Sequence, residues 1–337
     1  MSDFHITNGD SAADIIQACG VGGDVLPWRD VMHHGPFPAG LDLDKLSEVR
    51  ATYFAGEGND ESEIRRDFRA RNDHLRSAPT YDRVVLWFEH DLLDQLQILQ
   101  LLDWFSEADL GQTSLELICI DRYDGIDPFR GIGQLNAEQM ASLFSRRHTV
   151  TAAEIDLAKE GWAAFRSSDP QDLEAFVNGD LTPLPFLHPA LCRHLEEYPS
   201  HQTGLTRTEN QILTLISGGA AAPGRIFSDN MDLETVLFIG DWTTFRHIDD
   251  LSTGDDPLLA CEPDGVFQYP PCSTVTMETF RSQRLRLTKV GEQVLAGSRD
   301  AFDLLKRDQW LGGVHLRSDQ PIWTWDDNAR TLRRHQP

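Results

Sequence analysis

With 337 residues, 40% of them hydrophobic and 25% charged, the chain is long enough for about two domains and a well-buried core, and no apolar run approaches the ~20 residues of a membrane helix. Thirty Lys and Arg against 54 Asp and Glu leave a net charge of −24, which repels a polyanion, favours divalent cations, and argues against nucleic acid as a partner unless a local basic patch supplies the contact. Five dispersed cysteines (Cys19, Cys119, Cys192, Cys261, Cys272) without a CxxC pair, and a start lacking the basic and apolar regions of a signal peptide, point to reduced thiols in a cytoplasm, with no membrane partner.

Phe4-His-Ile-Thr reads as a short strand that breaks at Gly9 and continues as a helix, with Asp10 or Ser11 as its N-cap. Gly22-Gly23 ends that helix, and Asp24-Val-Leu-Pro-Trp reads as a second strand leading into the polar loop Arg29-Asp30-Val-Met-His33-His34-Gly35-Pro36. Residues 41–76 read as helical and solvent-rich. Val84–Phe88 is a continuous apolar run, the signature of a buried strand. From Leu92 the period becomes helical, with Leu92, Leu93, Leu96, Leu99 and Leu102 in phase. Leu115–Asp121 predicts a fourth strand, followed by a glycine-rich loop from Gly125 to Gly133.

Strand, helix, strand in this rhythm predicts an α/β domain over 1–134 with a Rossmann-like parallel sheet. Residues just past the strand ends then gather along one edge, which would bring Asn8–Ser11, Arg29-Asp30, His33-His34, Glu89–Asp94 and Asp121 into one crevice. A helical connector without strands is expected over 135–200. Residues 201–337 predict a helical, winged-helix-like C-terminal domain. In it, Thr206 with Glu209 caps an opening helix, and 285–295 supplies a wing strand and closing helix. The stretch 252–274 reads as an extended loop, and the tail around Trp310–His315 and Ile322–Asp326 as a small hairpin.

Chemistry concentrates in Glu89-His90-Asp91-x-x-Asp94. One acid there could simply cap the next helix. Asp91 and Asp94, with Gln95, share a helix face, and acids so close either repel, raising a pKa, or share a cation. Glu89, Asp91 and Asp94 suit Mg2+, or Mn2+ with His90 added. Gly9 and Ser11 at a helix start could hold an anion, and Arg29 offers a planar, always-charged fork for phosphate or carboxylate. A nucleophilic Ser11 would need a partnering His, and no Asp-x-x-His stands late in the chain. Asp10, His34, Glu89 and Asp91 are the acid–base candidates, with Gly9, Ser11, Arg29 and Gln95 on a small-molecule ligand. A plain capped helix, a loop salt bridge and an ordinary Gly-Gly turn before His315 are the structural alternatives.

Phe4-His-Ile-Thr-Asn-Gly-Asp-Ser, Leu26-Pro-Trp-Arg-Asp-Val, His34-Gly-Pro and Trp87-Phe-Glu-His-Asp-Leu resemble the bacterial family catalogued as domain of unknown function 1835. The likeness covers about the first 130 residues, with further matches at Pro185–Leu191, Gly240-Asp-Trp and Arg286-Leu-Thr. It implies a bacterial cytoplasmic protein and carries no activity. Chemistry alone therefore sets the expectation: an enzyme hydrolysing or transferring at phosphorus on a phosphorylated or nucleotide-like small molecule, with Mg2+ or Mn2+. Its rival is a ligand-sensing regulator or protein-interaction module working through the winged-helix part, where Arg281, Arg284, Arg286 and Lys289 form a basic patch.

Overall fold

The computed structural model describes residues 2–219, 221–262, 265–269 and 275–335. The chain divides into two compact units, Met1–Leu191 with Gly312–Val314, and Cys192–Leu311 with His315–Pro337. No helix among the described residues is long and apolar enough to cross a membrane.

The first unit is built on strands β1 (Asp3–Thr7), β2 (Asp24–Pro27), β3 (Arg83–Glu89) and β4 (Ser114–Ile120), with a two-residue β5 (His148–Thr149). They lie in the order β2-β1-β3-β4-β5; the first four run parallel, and β5 pairs antiparallel with β4. The four long strands stand where the apolar runs predict them. β5 corrects the expectation of helices alone after residue 135, because two polar residues carry no periodicity to read. Residues 135–191, expected as a connector, belong with the sheet.

Helices α1 (Asp10–Ala18), α2 (Leu43–Gly56), α3 (Glu61–Arg76), α4 (Leu92–Glu107), α5 (Ala137–Leu143), α6 (Ala152–Phe165), α7 (Pro170–Val177) and α8 (Leu187–Leu195) follow in chain order. Side chains cap six of them: Asp42, Asp60, Asp91, Asn136, Thr151 and Asp169 each accept from a first-turn N–H. α1 differs. Its N-cap is Gly9, which has no side chain to offer, so neither Asp10 nor Ser11 caps it. One face of the sheet, with Val85, Trp87, Ile118 and Ile120, packs on Ala12 and Ile16 of α1 and Met140 and Leu143 of α5. α4 is buried along most of its length, which gives its glutamines structural work. The Gln97 amide donates to the Trp28 carbonyl at 2.9 Å, and Gln100 Oε1 accepts from Trp28 Nε1 at 2.9 Å.

The charged helices over 41–76 are less solvated than their composition predicts. Arg50 of α2 and Arg71 of α3 are buried and converge on Asp30, at 2.6 and 3.7 Å. Their guanidinium groups lie over Phe37 and Trp28, each 4.1 Å from the ring centroid, stacking that suits arginine. Burial lowers the Arg71 pKa to about 10.

Gly312–Val314 belongs to this unit. The Gly312 carbonyl accepts from Phe37 N at 2.9 Å, and Gly313 N donates to the Phe165 carbonyl at 3.0 Å. A Cβ on Gly313 would overlap the Arg166 carbonyl oxygen, and Gly312 holds φ at +61°. Gly313→Ala is therefore expected to destabilise the protein by about 1–3 kcal/mol. A urea midpoint equal to that of the wild type would contradict this.

The second unit comprises α9 (Arg207–Ser217), α10 (Pro223–Asp232), α11 (Asp241–Ser252), β6 (Leu259–Glu262), α12 (Met277–Ser282), β7 (Arg284–Leu287) and α13 (Lys289–Leu295), followed by strands β8 (Asp308–Leu311), β9 (Val314–Arg317), β10 (Ile322–Asp326) and β11 (Thr331–His335). Ile212, Leu213, Ile226, Phe245, Ile248, Leu285 and Val294 share its core. The expected Thr206–Glu209 capping box is present, and Glu209 also receives the buried Arg307. The loop expected over 252–274 contains β6, which pairs antiparallel with β7; Pro263, Asp264 and 270–274, with Cys272, lie outside the described residues. The single tail hairpin expected is two, β8–β9 and β10–β11. The second turns where Asp326 accepts from the amides of Asn328 and Ala329, an Asx-type signal shorter than the Gly-Gly one.

Candidate active site

The strand order reverses between β1 and β3, since β2 flanks β1 on one side and β3, with β4 beyond, on the other. Connections leave such a pair in opposite directions, opening a crevice at the carboxyl ends of the strands. Asn8 and Gly9 leave β1 there. Glu89 ends β3, Asp91 follows, and Asp94 lies in the first turn of α4.

Three carboxylates meet in that crevice. Glu89, Asp91 and Asp94 each place an oxygen within 4.8 Å of the other two. Asp91 is the N-cap of α4, accepting from Asp94 N at 2.8 Å, so the structural alternative holds for this residue alongside any chemistry. Asp94, fully buried, accepts from Asn8 Nδ2 through Oδ1 and from Glu89 N through Oδ2, both at 2.7 Å. Glu89 Oε2 accepts from the Ile132 amide. No basic side chain among the described residues pairs with the three acids.

Burial without a counter-charge sets their titration. Desolvation first, and then repulsion from Asp91, drive the Glu89 carboxyl well above its ordinary range. Asp94 moves the same way through desolvation and the charges of Glu89 and Asp91. Asp91 is pushed up to about 6 by desolvation, against the pull of the amides it caps. Such a cluster must either share protons or surround a cation, and an all-oxygen donor set is what Mg2+ or Mn2+ takes.

His90 does not join the set, a correction to its expected ligand role. It stands between two acids that are in phase in an extended segment, so its ring turns away from them. The ring stacks on Phe129, with centroids 6.2 Å apart, and meets Phe186 edge-on. Burial lowers its pKa. Gln95 is likewise no ligand contact, because its amide braces the strand end, donating to the Glu89 carbonyl at 2.7 Å.

Asp10 and Arg29 do come together at this edge, as a bidentate pair with Nε at 2.9 and 3.0 Å from the two carboxylate oxygens. The hydrogen bond from Arg29 lowers the Asp10 pKa, so Asp10 stays ionised with its oxygens committed to the guanidinium. Both side chains remain more than half exposed, and a pair so exposed is worth about 0–1 kcal/mol, cheap to open. Asp30, the neighbour of Arg29, is spent on Arg50 and Arg71. His34 takes a different place from the one expected. Its Nε2 is 2.8 Å from Glu57 and 3.2 Å from the Tyr53 hydroxyl, and its carbonyl accepts from Arg50. These partners tie it to α2. His315 is held in its own hairpin by Asp308 at 2.6 Å and by stacking on Trp310.

The glycine-rich loop completes the crevice. A Cβ at Gly131 would overlap the Glu89 carboxylate, and one at Gly133 would stand 3.1 Å from Ser11 Oγ. Glycine is required at Gly131, where φ is +151° and a side chain would meet the Glu89 carboxylate, while Gly133 only leaves room beside Ser11. Asn8 and the Ile132 amide contact Asp94 and Glu89 directly, which the residue types alone did not single out. Their signals were present, as an amide directly before the Gly9 break and an apolar residue between two glycines.

No family model and no curated protein matches the chain. The geometry of the crevice has to carry the functional reading.

Proposed function

We propose that this crevice is the active site of an enzyme that hydrolyses or transfers at phosphorus on a phosphorylated or nucleotide-like small molecule, assisted by Mg2+ or Mn2+. One observation carries the reading: three carboxylates, Glu89 and Asp94 buried and Asp91 half-buried, unpaired with any base among the described residues, converge at the strand-order reversal of a parallel sheet. The strand order supports a Rossmann-like first unit, in which such an edge is where ligands bind. Glu89, Asp91 and Asp94 would hold the cation, which would offset charge on a phosphoryl oxygen. Asn8 and the Glu89 amide fix the orientation of Asp94. A carboxylate oxygen of Asp91 would take the proton of the attacking hydroxyl as the bond from phosphorus to the leaving oxygen breaks. Arg29 exchanges Asp10 for the substrate anion, a small cost at that exposure. Membership of the bacterial family named above, with its cytoplasmic location, belongs to the same reading.

Calorimetry with Mn2+ tests it. Asn caps a helix as well as Asp does, so Asp91→Asn is expected to fold normally and to bind Mn2+ about 10–100-fold more weakly. Equal heats for the two proteins would remove the cation, and the reading with it.

The second unit supports a narrower role than DNA recognition. Three helices followed by the β6–β7 pair suit a winged-helix-like module. Yet α11, placed where such modules carry a reading helix, bears Asp241, Asp249 and Asp250 against Arg246, and Arg286 of the basic strand is paired with Glu262 at 3.0 Å. That charge favours a protein contact over nucleic acid.

A further inference from the structure

Resting on the reading above, we propose that the first turn of α1, the hydroxyls of Thr7 and Ser11, and the Gly131–Gly133 loop form the anion half of the crevice, taking a phosphate group whose charge is balanced by a divalent cation on Glu89, Asp91 and Asp94.

The first intrahelical bond of α1 runs from Ala13 N to the Gly9 carbonyl at 3.1 Å. The amides of Asp10, Ser11 and Ala12 precede it, and Gly9 supplies no side-chain cap, so this end of the helix presents donors and a positive dipole. Thr7 is the independent observation. It is fully buried, and its Oγ1 has no hydrogen-bond partner, a costly state for a hydroxyl in a protein interior. Thr7 is in register with Trp87, so its side chain lies on the same face of the sheet as Trp87 and Glu89, two residues on. This is the face that α1 and Ile132 cover. The orphan hydroxyl therefore lies on the α1 side of the sheet, beside Trp87 and two residues before Glu89 reaches the crevice. Gly133 approaches Ser11 Oγ so closely that a Cβ would fill the gap.

Three carboxylates would expel a phosphate unless a cation stood between them, so the two ligands must bind together. Coupling of this kind is reciprocal.

Calorimetry with micromolar Mn2+ and inorganic phosphate, each alone and each with the other, reads the coupling. In the wild type, phosphate should tighten Mn2+ at least about tenfold and Mn2+ should tighten phosphate equally. Thr7→Val keeps the shape of the strand and removes an unsatisfied hydroxyl, so it should melt no lower than the wild type. Thr7→Val and Ser11→Ala should both keep the affinity for Mn2+ alone and lose most of the coupling. Mn2+ binding that phosphate leaves unchanged would overturn the anion site while the cation reading stands. Coupling undiminished in both variants would also overturn it. No Mn2+ binding at all would sink the enzyme reading and this one together.

Discussion

Glu89→Gln is expected to melt higher than the wild type at pH 8 in the presence of a chelator. Without a cation, Glu89 and Asp94, both buried, and the half-buried Asp91 confront one another with no counter-charge among the described residues. Glutamine keeps the shape and still accepts from the Ile132 amide through its oxygen, while its NH2 donates to a neighbouring carboxylate. Removing one like charge is expected to gain about 1–3 kcal/mol, the signature of a site that trades stability for function. The pH dependence follows from the direction of the shifts. A carboxyl whose folded pKa lies above its unfolded value keeps a proton that the unfolded chain loses. Its contribution is full below about pH 4 and disappears as pH rises through the folded value. For Asp91 that window closes at about 6, and Glu89 and Asp94, both raised well above the ordinary carboxylate range, add to the loss in the same direction. The cation-free wild type should therefore lose stability from pH 4 through 6 and above, and the advantage of Glu89→Gln should shrink towards pH 5. Mn2+ should reverse the order at pH 8, stabilising the wild type alone, because protons no longer compete for the ligands. Melting curves in chelator and in Mn2+ at the two pH values check this. A Glu89→Gln protein less stable than the wild type at pH 8 in chelator would contradict the repulsion argument.

Asp30→Ala is expected to cost about 3–5 kcal/mol, the usual penalty for stranding buried charge. The Asp30 carboxylate is 2% exposed and stands between Arg50, 0% exposed, and Arg71, 5% exposed. Its loss leaves two guanidinium groups facing each other in a closed space. Arg50 also donates to the carbonyls of His34 and Val31, so the β2–α2 loop depends on the same charge. Arg50→Ala should be at least as damaging, because it removes those bonds and the cover over Phe37 as well. Urea unfolding reads both variants. A shift equivalent to less than about 1 kcal/mol for Asp30→Ala would place this cluster among surface pairs in energetic terms.

The carboxylate triad and the Asp30 cluster differ in how far the chain announces them. Glu89, Asp91 and Asp94 stand within six residues of one another where an apolar strand period changes to a helical one, so their convergence is local geometry. The Asp30 cluster joins residues 20 and 41 positions apart on helices whose charges read as solvated. Charge in a sequence does not say which member of a helix will face inward. Arg50 and Arg71 do so because aromatic rings receive the flat faces of their guanidinium groups. His34 failed as a crevice residue for a related reason. The eight-residue loop 29–36 has no periodicity to aim its side chains, and Glu57 and Tyr53 decided where that ring went.

Hydrophobic period and turn chemistry, both written in neighbouring residues, determined the strands of the first unit, the capped starts of most helices and the triad at the end of β3. Contacts between distant residues were left to the folded chain. Tertiary structure chose Gly9 over its neighbours as the N-cap of α1, set Arg29 on Asp10, turned His90 onto Phe129, and closed Gly131–Gly133 over Glu89 and Ser11. Such pairings depend on strand order and on which surfaces remain to be covered, quantities that no short window of sequence contains.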